Sequence, residues 1–379
     1  MVYRTLFSGI CALILTVGLA RFAYTPMLPI MQRSGVLDEI AGGWLASFNY
    51  LGYLSGALLA AQTHSLVQKY HFYRIGLVLA VLSTAAMGLT QDPVFWMLLR
   101  FISGLSSVAG LLLASGLVLN WMFRMGIKQE LGVHFSGMGL GIAVSGLVVA
   151  PIAAWLDWSS IWVFLGLLGL AFMLPAWAWM PRPPAIITLL TDRPSRPPGA
   201  RWMIAMIAGY FCAGFGYVVS ATYIVAIAEA VPALTDHGAL VWVLVGLAAL
   251  FSTFFWDRVA RRLGDLRTLI LCYVLQIVSF LLPLAGGSFA NIASALLYGG
   301  TFVGIVSLTL TLIGRRFPRN PAKAMARMTL SYGGAQIIAP AMTGYMAALS
   351  GNYNGALMAA AGIMALGIAC LALAGSEAP

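Results

Sequence analysis

The chain has 379 residues, 61% of them hydrophobic and 8% charged, with a mean hydropathy of +0.92. Soluble domains carry roughly 25% charged residues, so this composition excludes a soluble globular fold and implies a polytopic membrane protein. A net charge of +10 would point to nucleic acid in a soluble chain. Here the positive charges fall in loops on one side of a series of apolar segments, so they read as topology signals that also attract membrane lipid, and no nucleic-acid partner is expected.

Apolar runs bounded by charge or turn residues predict twelve spans, near 5–31, 40–63, 73–90, 94–122, 131–156, 159–180, 202–228, 238–256, 268–286, 289–314, 323–349 and 353–374. The first is too long for a signal peptide and lacks an A-x-A cleavage site, so it reads as a retained helix. With Arg4 placed in the cytoplasm, eighteen of the 21 Lys and Arg fall on that side, against Arg33 alone on the other. These include Lys69 and Arg74, Arg124 and Lys128, Arg193 and Arg196, Arg319 and Lys323. The positive-inside rule then predicts both termini in the cytoplasm and, for a bacterial chain, the inner membrane.

The first span holds "GLARFAYTP", Gly18 to Pro26, with Arg21 at its centre. At 1.5 Å per residue Arg21 lies roughly 25 Å from Arg4 and roughly 18 Å from Arg33, too deep to reach either surface. An Arg at a helix centre costs about 2.5–3.5 kcal/mol in insertion scales, so the side chain is expected to face a polar cavity. Helical spacing places Gly18, Tyr24 and Thr25 on the same side. Arg100, seven residues into the fourth span from Pro93, falls in about the same layer.

Further along, Gly52 and Gly56, and Gly137, Gly141 and Ser145, recur at spacings of four, as close-packing seams between helices do. "GMGLG" at 137–141 has no preceding strand and no final Gly, so it is not a dinucleotide loop. His134, four residues after Glu130, is expected to cap or pair locally, and His64, His71 and His237 to lie in loops. Trp44, Trp96 and Trp162 read as interfacial anchors. Cys11, Cys212, Cys272 and Cys370 lie within spans without C-x-x-C spacing and read as core residues.

Between the sixth and seventh spans, "MPRPPAIITLLTDRPSRPPGAR" is proline-rich and polar, a linker that divides the chain six plus six. The expected domains are an N-terminal bundle over 1–180, a cytoplasmic linker over 181–200 and a C-terminal bundle over 201–379. Internal similarity supports duplication: "GLARFAYT" from Gly18 parallels "GFGYVVSAT" from Gly214, and the segment around Pro151 parallels that around Pro340.

Taken together these residues resemble the major facilitator superfamily. "RFAYTPMLPIM" from Arg21 and "GWLASFNYLGYLSGALLAA" from Gly43 are similar to its YbfB/YjiJ-type branch, and the likeness covers essentially the whole chain. "RFISG" from Arg100 resembles the superfamily's R-x-x-x-G motif, and "DRVARRLG" from Asp257 its cytoplasmic D-R-x-G-R-R loop. The resemblance implies an all-α membrane fold of twelve helices in two pseudo-symmetric six-helix bundles. It also implies a gating latch at Asp257, Arg258, Arg261 and Arg262, with Pro151 and Pro340 as further gating positions. The loop between the second and third spans has no Asp, and Ala150–Pro151 stands where antiporters of the superfamily have Gly–Pro.

By resemblance the substrate binds between the halves. The expected contacts are Arg21, Tyr24, Thr25, Asn49 and Arg100 from the first half, and Tyr217, Ser220, Thr222, Tyr223, Tyr298, Tyr332 and Gln336 from the second. No Asp or Glu is expected at the centre to neutralise the arginines, which favours a small organic anion such as a carboxylate as substrate. The alternative for both arginines is structural, with backbone carbonyls and neutral side chains as partners.

Uniport or anion exchange needs less machinery than a proton relay, though a coupling proton or counter-anion stays open. Rival readings are proton-coupled efflux of hydrophobic or drug-like compounds and a transporter-like sensor, which would need a longer tail than "AGSEAP". There is no Walker loop, metal cluster or Ser–His–Asp spacing, so no enzyme, cofactor or metal is expected, and a monomer suffices.

Overall fold

The computed structural model describes residues 2–126, 132–184, 199–317 and 321–376, with 2, 321–323 and 376 described by backbone alone. Lys128, Glu130, Arg193, Arg196 and Arg319 lie outside the described residues, as do most of the linker and the side chain of Lys323.

Twelve long helices run through the described residues. They are α1 Tyr3–Arg33, α2 Glu39–Gln62, α3 Leu66–Ala86, α4 Pro93–Arg124, α5 Gly132–Ile152 and α6 Trp158–Trp179, then α7 Ala200–Glu229, α8 Gly238–Leu263, α9 Asp265–Ala285, α10 Ser288–Arg316, α11 Pro321–Ser350 and α12 Asn354–Ser376. Nine are both long and apolar enough to cross a membrane. The other three, α2, α3 and α11, have 24, 21 and 30 residues, and at 1.5 Å per residue each still exceeds a hydrocarbon core of roughly 30 Å. Side-chain caps start several of them: Asp38 accepts from Ala41 N at 2.6 Å, Asp92 from Val94 N at 2.8 Å and Asp157 from Ser160 N at 3.3 Å. The Ser160 hydrogen bonds hold the Asp157 carboxyl below its ordinary value.

Packing repeats with a period of six helices. In the first half α2 packs on α4, α3 on α6 and α1 on α5; in the second α8 packs on α10, α9 on α12 and α7 on α11. Across the halves, α5 meets α8 and α11 meets α2, again equivalent pairs, while α1 meets α7 on the axis itself. This is two pseudo-symmetric bundles of six. Close approach is supplied by the glycines spaced by four. A Cβ on Gly52 would lie 2.0 Å from Phe101 O in α4, and one on Gly18 would lie 2.5 Å from Gly141 Cα in α5.

Several helices extend past their apolar cores. α3 begins at Leu66, which places Lys69, His71 and Arg74 on helix instead of in a loop, with Arg74 stacked 3.5 Å over Trp177 of α6. α8 continues to Leu263, so "DRVARRL" is helical. Arginines suit the negative end of a helix dipole, and Gly264, at φ +86°, ends the run.

The helix ends bearing Arg4, Arg124, Arg201, Arg261 and Arg315 form one face, the basic face; Arg33, Asp38, Asp92, Asp157 and Glu229 lie on the opposite one. Trp96 and Trp162 are fully buried, not interfacial as their positions near helix ends suggest. Trp96 donates to Met87 O at 3.0 Å and Trp162 to Met31 Sδ, while Trp44 is exposed. A tryptophan between helices near a surface can bury both ring and N–H, which sequence position alone does not reveal.

Candidate functional site

α1 is not uniformly α-helical. Ile14–Phe22 is a π-helical segment, with Ala23 N bonded to Gly18 O five residues back. Pro26 follows and has no N–H to return, so carbonyls in this turn are left for other donors.

Arg100 of α4 supplies them. Its Nη1 donates to Ala20 O at 3.0 Å and its Nη2 to Arg21 O at 3.2 Å, with the guanidinium 4.4 Å over the Tyr24 ring. Ser103 Oγ also donates to Ala20 O, at 2.5 Å. Asn49 of α2 ties this group together, donating to Arg100 O at 3.0 Å and Ser103 Oγ at 3.1 Å. Arg100 is therefore bonded to the backbone of α1.

Arg21 is held differently. Its guanidinium carbon lies 4.6 Å from the Tyr50 ring centroid and 4.5 Å from that of Tyr53, both on α2. Nη1 donates a long hydrogen bond to Ser107 Oγ at 3.5 Å, the guanidinium also bonds to the Tyr50 side chain, and its Nε is buried with no partner. Arg21 is 5% exposed and Arg100 2%. Neither has an acidic partner among the described residues. Two cations thus share a layer whose local compensation is carbonyl dipoles and aromatic faces.

Of the residues expected to bind substrate, Arg21, Tyr24, Thr25, Asn49, Arg100 and Thr222 line one small cavity of about 10 Å³, the room of roughly one water. Phe22, Ala46, Tyr50 and Ala221 complete its wall. Tyr217, Tyr298 and Tyr332 form instead a stack of rings on α7, α10 and α11, with centroids 6.4 Å apart for Tyr217–Tyr298 and 5.7 Å for Tyr217–Tyr332. Tyr50 meets the Tyr217 ring edge-on at 6.3 Å and joins stack to cavity. Ser220 and Gln336 are buried nearby, Gln336 with Oε1 unpartnered.

Tyr223 stands apart, donating to Pro340 O at 2.9 Å in the contact between halves. Gly18 faces Gly141 of its own bundle and Tyr24 lies under Arg100, not Arg21. The wider π turn rotates side chains away from the faces that 3.6-residue spacing gives.

The face opposite the basic one is sealed across the halves. Thr25 donates to Ala221 O, and Arg33 pairs with Glu229. Gly43 abuts Pro340 O, and Gly344 abuts Glu39 O. Pro340 is buried in this seal, whereas Pro151 is exposed.

The expected latch residues make no such link among the described residues. Arg261 pairs with Asp257 one turn away at 3.5 Å, both exposed, and Arg258 and Arg262 are also exposed. The tighter contact there is Arg315 to Asp265 at 2.9 Å, joining α10 to α9 within one bundle. Sequence reasoning passed over Asp265, Tyr50, Tyr53, Ser103 and Ser107.

The family model described as "Uncharacterised MFS-type transporter YbfB" matches residues 13–372, nearly the whole chain. The chain belongs to this major facilitator family. A curated relative, "Uncharacterized MFS-type transporter YceJ" of Bacillus subtilis (strain 168), is 27% identical over 270 residues, 67% of this chain and 66% of that protein, so the match spans just under two thirds of the relative's length. Among solved structures, a mutant of the nucleoside transporter NupG superposes with a TM-score of 0.79 at 13% identity, covering 97% of this chain and 99% of that one. A bacterial homologue of the human lysosomal transporter Spinster, in an inward-facing and unoccupied conformation, superposes with a TM-score of 0.69 at 13% identity, covering 99% and 97%. At such identities these likenesses establish the fold. This chain is a multi-span membrane protein of the major facilitator family with that fold.

Proposed function

We propose that this transporter carries a small organic anion, with a carboxylate as the leading class, across the bacterial inner membrane by rocking of its two bundles, with both termini cytoplasmic. The observation that carries this reading is Arg21: a guanidinium near the middle of α1, buried, with a free Nε and no acidic partner among the described residues. A cation in that setting is costly until an anion meets it. Arg100 fixes the π turn that presents Arg21, and the tyrosines of α2 and α7 exclude water around it. The cavity in this closed arrangement is smaller than any such substrate, so binding belongs to a state in which the seal between α1 and α7 or the contact of α5 with α8 has opened. The protein does no covalent chemistry on its cargo in this scheme.

The test is counterflow in proteoliposomes containing the purified protein, with a panel of small carboxylates, phosphonates and sulfonates. Accelerated exchange of one anion by the wild type, lost in Arg21→Ala, supports the reading; exchange of cationic or neutral compounds alone overturns it. A second reading, export of hydrophobic or drug-like compounds, draws on the stack of Tyr217, Tyr298 and Tyr332 and is separated from the first by the same panel.

A further inference from the structure

His134 is the third residue of α5, near the basic face, yet its side chain is fully buried between α1 and α4. Its Nε2 lies 2.9 Å from Ser115 Oγ, and that hydroxyl donates to Leu111 O at 2.7 Å. A hydroxyl has one proton to give, so in the Ser115 pair the ring is the donor and Nε2 carries the hydrogen. Nδ1 is then a bare lone pair. It has no hydrogen-bond partner and faces Gly9 of α1, where an added Cβ would lie only 2.3 Å away.

The groups that meet the ring are Gly9 of α1, Ser115 and the Gly110 backbone of α4, and Phe135 of α5 itself. None of them titrates, and among the described residues no charged group of α1 or α4 faces it. Lys128 and Glu130 lie outside those residues.

Two π-helical segments join this histidine to the anion site. Ser107, the partner of Arg21, comes just before the π segment Ala109–Ala114 of α4, and Ser115, the partner of His134, comes just after it. That segment packs on the π segment of α1, where a Cβ on Gly110 would lie 2.3 Å from Thr16 Oγ1. π turns inside α-helices commonly mark functional sites, and here one such turn has Arg21 at one end and His134 at the other.

We propose that Nδ1 of His134 is a proton-binding site that couples the carrier's conformation to a proton gradient. The proton comes from water at the basic face and forms an N–H bond at Nδ1. The imidazolium so made has a net charge, which this dry packing does not tolerate. Protonation therefore favours an arrangement in which α5 moves off α1 and α4 and the ring is hydrated. Because α5 also closes on α8, with Gly132 against Phe254 and Gly139 against Leu250, that movement acts on the contact between the bundles. The inference rests on the transport reading, but its test uses no substrate.

The chain has four histidines, so replacing His64, His71 and His237 by Asn leaves His134 alone for nitrogen NMR of the full-length protein in nanodiscs. At about pH 8 the expected signature is a protonated Nε2 and an unprotonated Nδ1. In parallel, spin labels at Met125→Cys and Leu263→Cys, with the native cysteines replaced by Ala, report the distance between the bundles at the basic face. Going from about pH 8 to about pH 5, the ratio of open to closed populations is expected to rise about tenfold, and to stay level in His134→Gln. A proton on Nδ1 at about pH 8, a distance insensitive to pH, or a response that survives His134→Gln overturns the proposal. Failure of the anion panel in proteoliposomes, with both of these readouts intact, would instead count against the transport reading.

Discussion

Arg21 and Tyr217 occupy equivalent places in the two bundles, 196 residues apart, the separation also found in the Thr25–Ala221 and Arg33–Glu229 contacts. The equivalence extends to their partners. Arg100 of α4 donates to Arg21 O, and Tyr298 of α10 donates to Tyr217 O at 2.9 Å. One half keeps charge where the other keeps aromatic rings, so the axis carries a site with a cationic side and a neutral side.

Arg100→Ala leaves Arg21 O without its side-chain donor and Ala20 O with Ser103 Oγ alone, and the expected cost is about 1–3 kcal/mol, larger than for Arg21→Ala. Arg100→Lys rescues little of it, because a single ammonium cannot fork to both carbonyls. Denaturant unfolding of the three variants in one detergent checks the order.

At the crossing of α5 and α8, a Cβ on Gly246 would sit 2.4 Å from Ala143 N and 2.7 Å from Gly139 O, both backbone atoms. Gly246→Val is expected to push the helices apart and destabilise this closed arrangement by about 1–3 kcal/mol. A spin-label distance between the two helices should lengthen; an unchanged distance would show that the contact yields elsewhere.

Arg33 and Glu229 sit at the sealed end of α1 and α7, half-exposed on the arginine side. The pair is worth about 1 kcal/mol or less to folding, but it spans the two bundles. Arg33→Glu should weaken closure there, and the exchanged pair Arg33→Glu with Glu229→Arg should restore it. Cysteines at both positions should cross-link, with exchange activity blocked until reductant is added.

Much of this arrangement is legible in the amino-acid sequence. Alternation of apolar runs and basic loops marks the spans, and the match of Gly18 to Gly214 already sets Arg21 opposite Tyr217. The same 196-residue offset, applied to Arg33, leads to Glu229. What the sequence hides is backbone register. A shift from α to π hydrogen bonding in α1 and α4 leaves no compositional trace, and it moves Gly18 and Tyr24 off the face of Arg21. His134 is hidden in the same way: only packing against Gly9 reveals that a histidine next to a loop is dry.

The central claim is that Arg21 is the counter-charge for the substrate, and thermal unfolding of the purified protein tests it most directly. A panel of small carboxylates, phosphonates and sulfonates, with cationic dyes as controls, is added to wild type and Arg21→Ala. Binding to the native state at about a hundred times Kd adds about 2.7 kcal/mol, a rise of several degrees in Tm. The account predicts that one class of anion raises the Tm of wild type and leaves Arg21→Ala unmoved. Equal stabilisation of both proteins by cations or neutral compounds, with no response to anions, would contradict it and return Arg21 to a structural role.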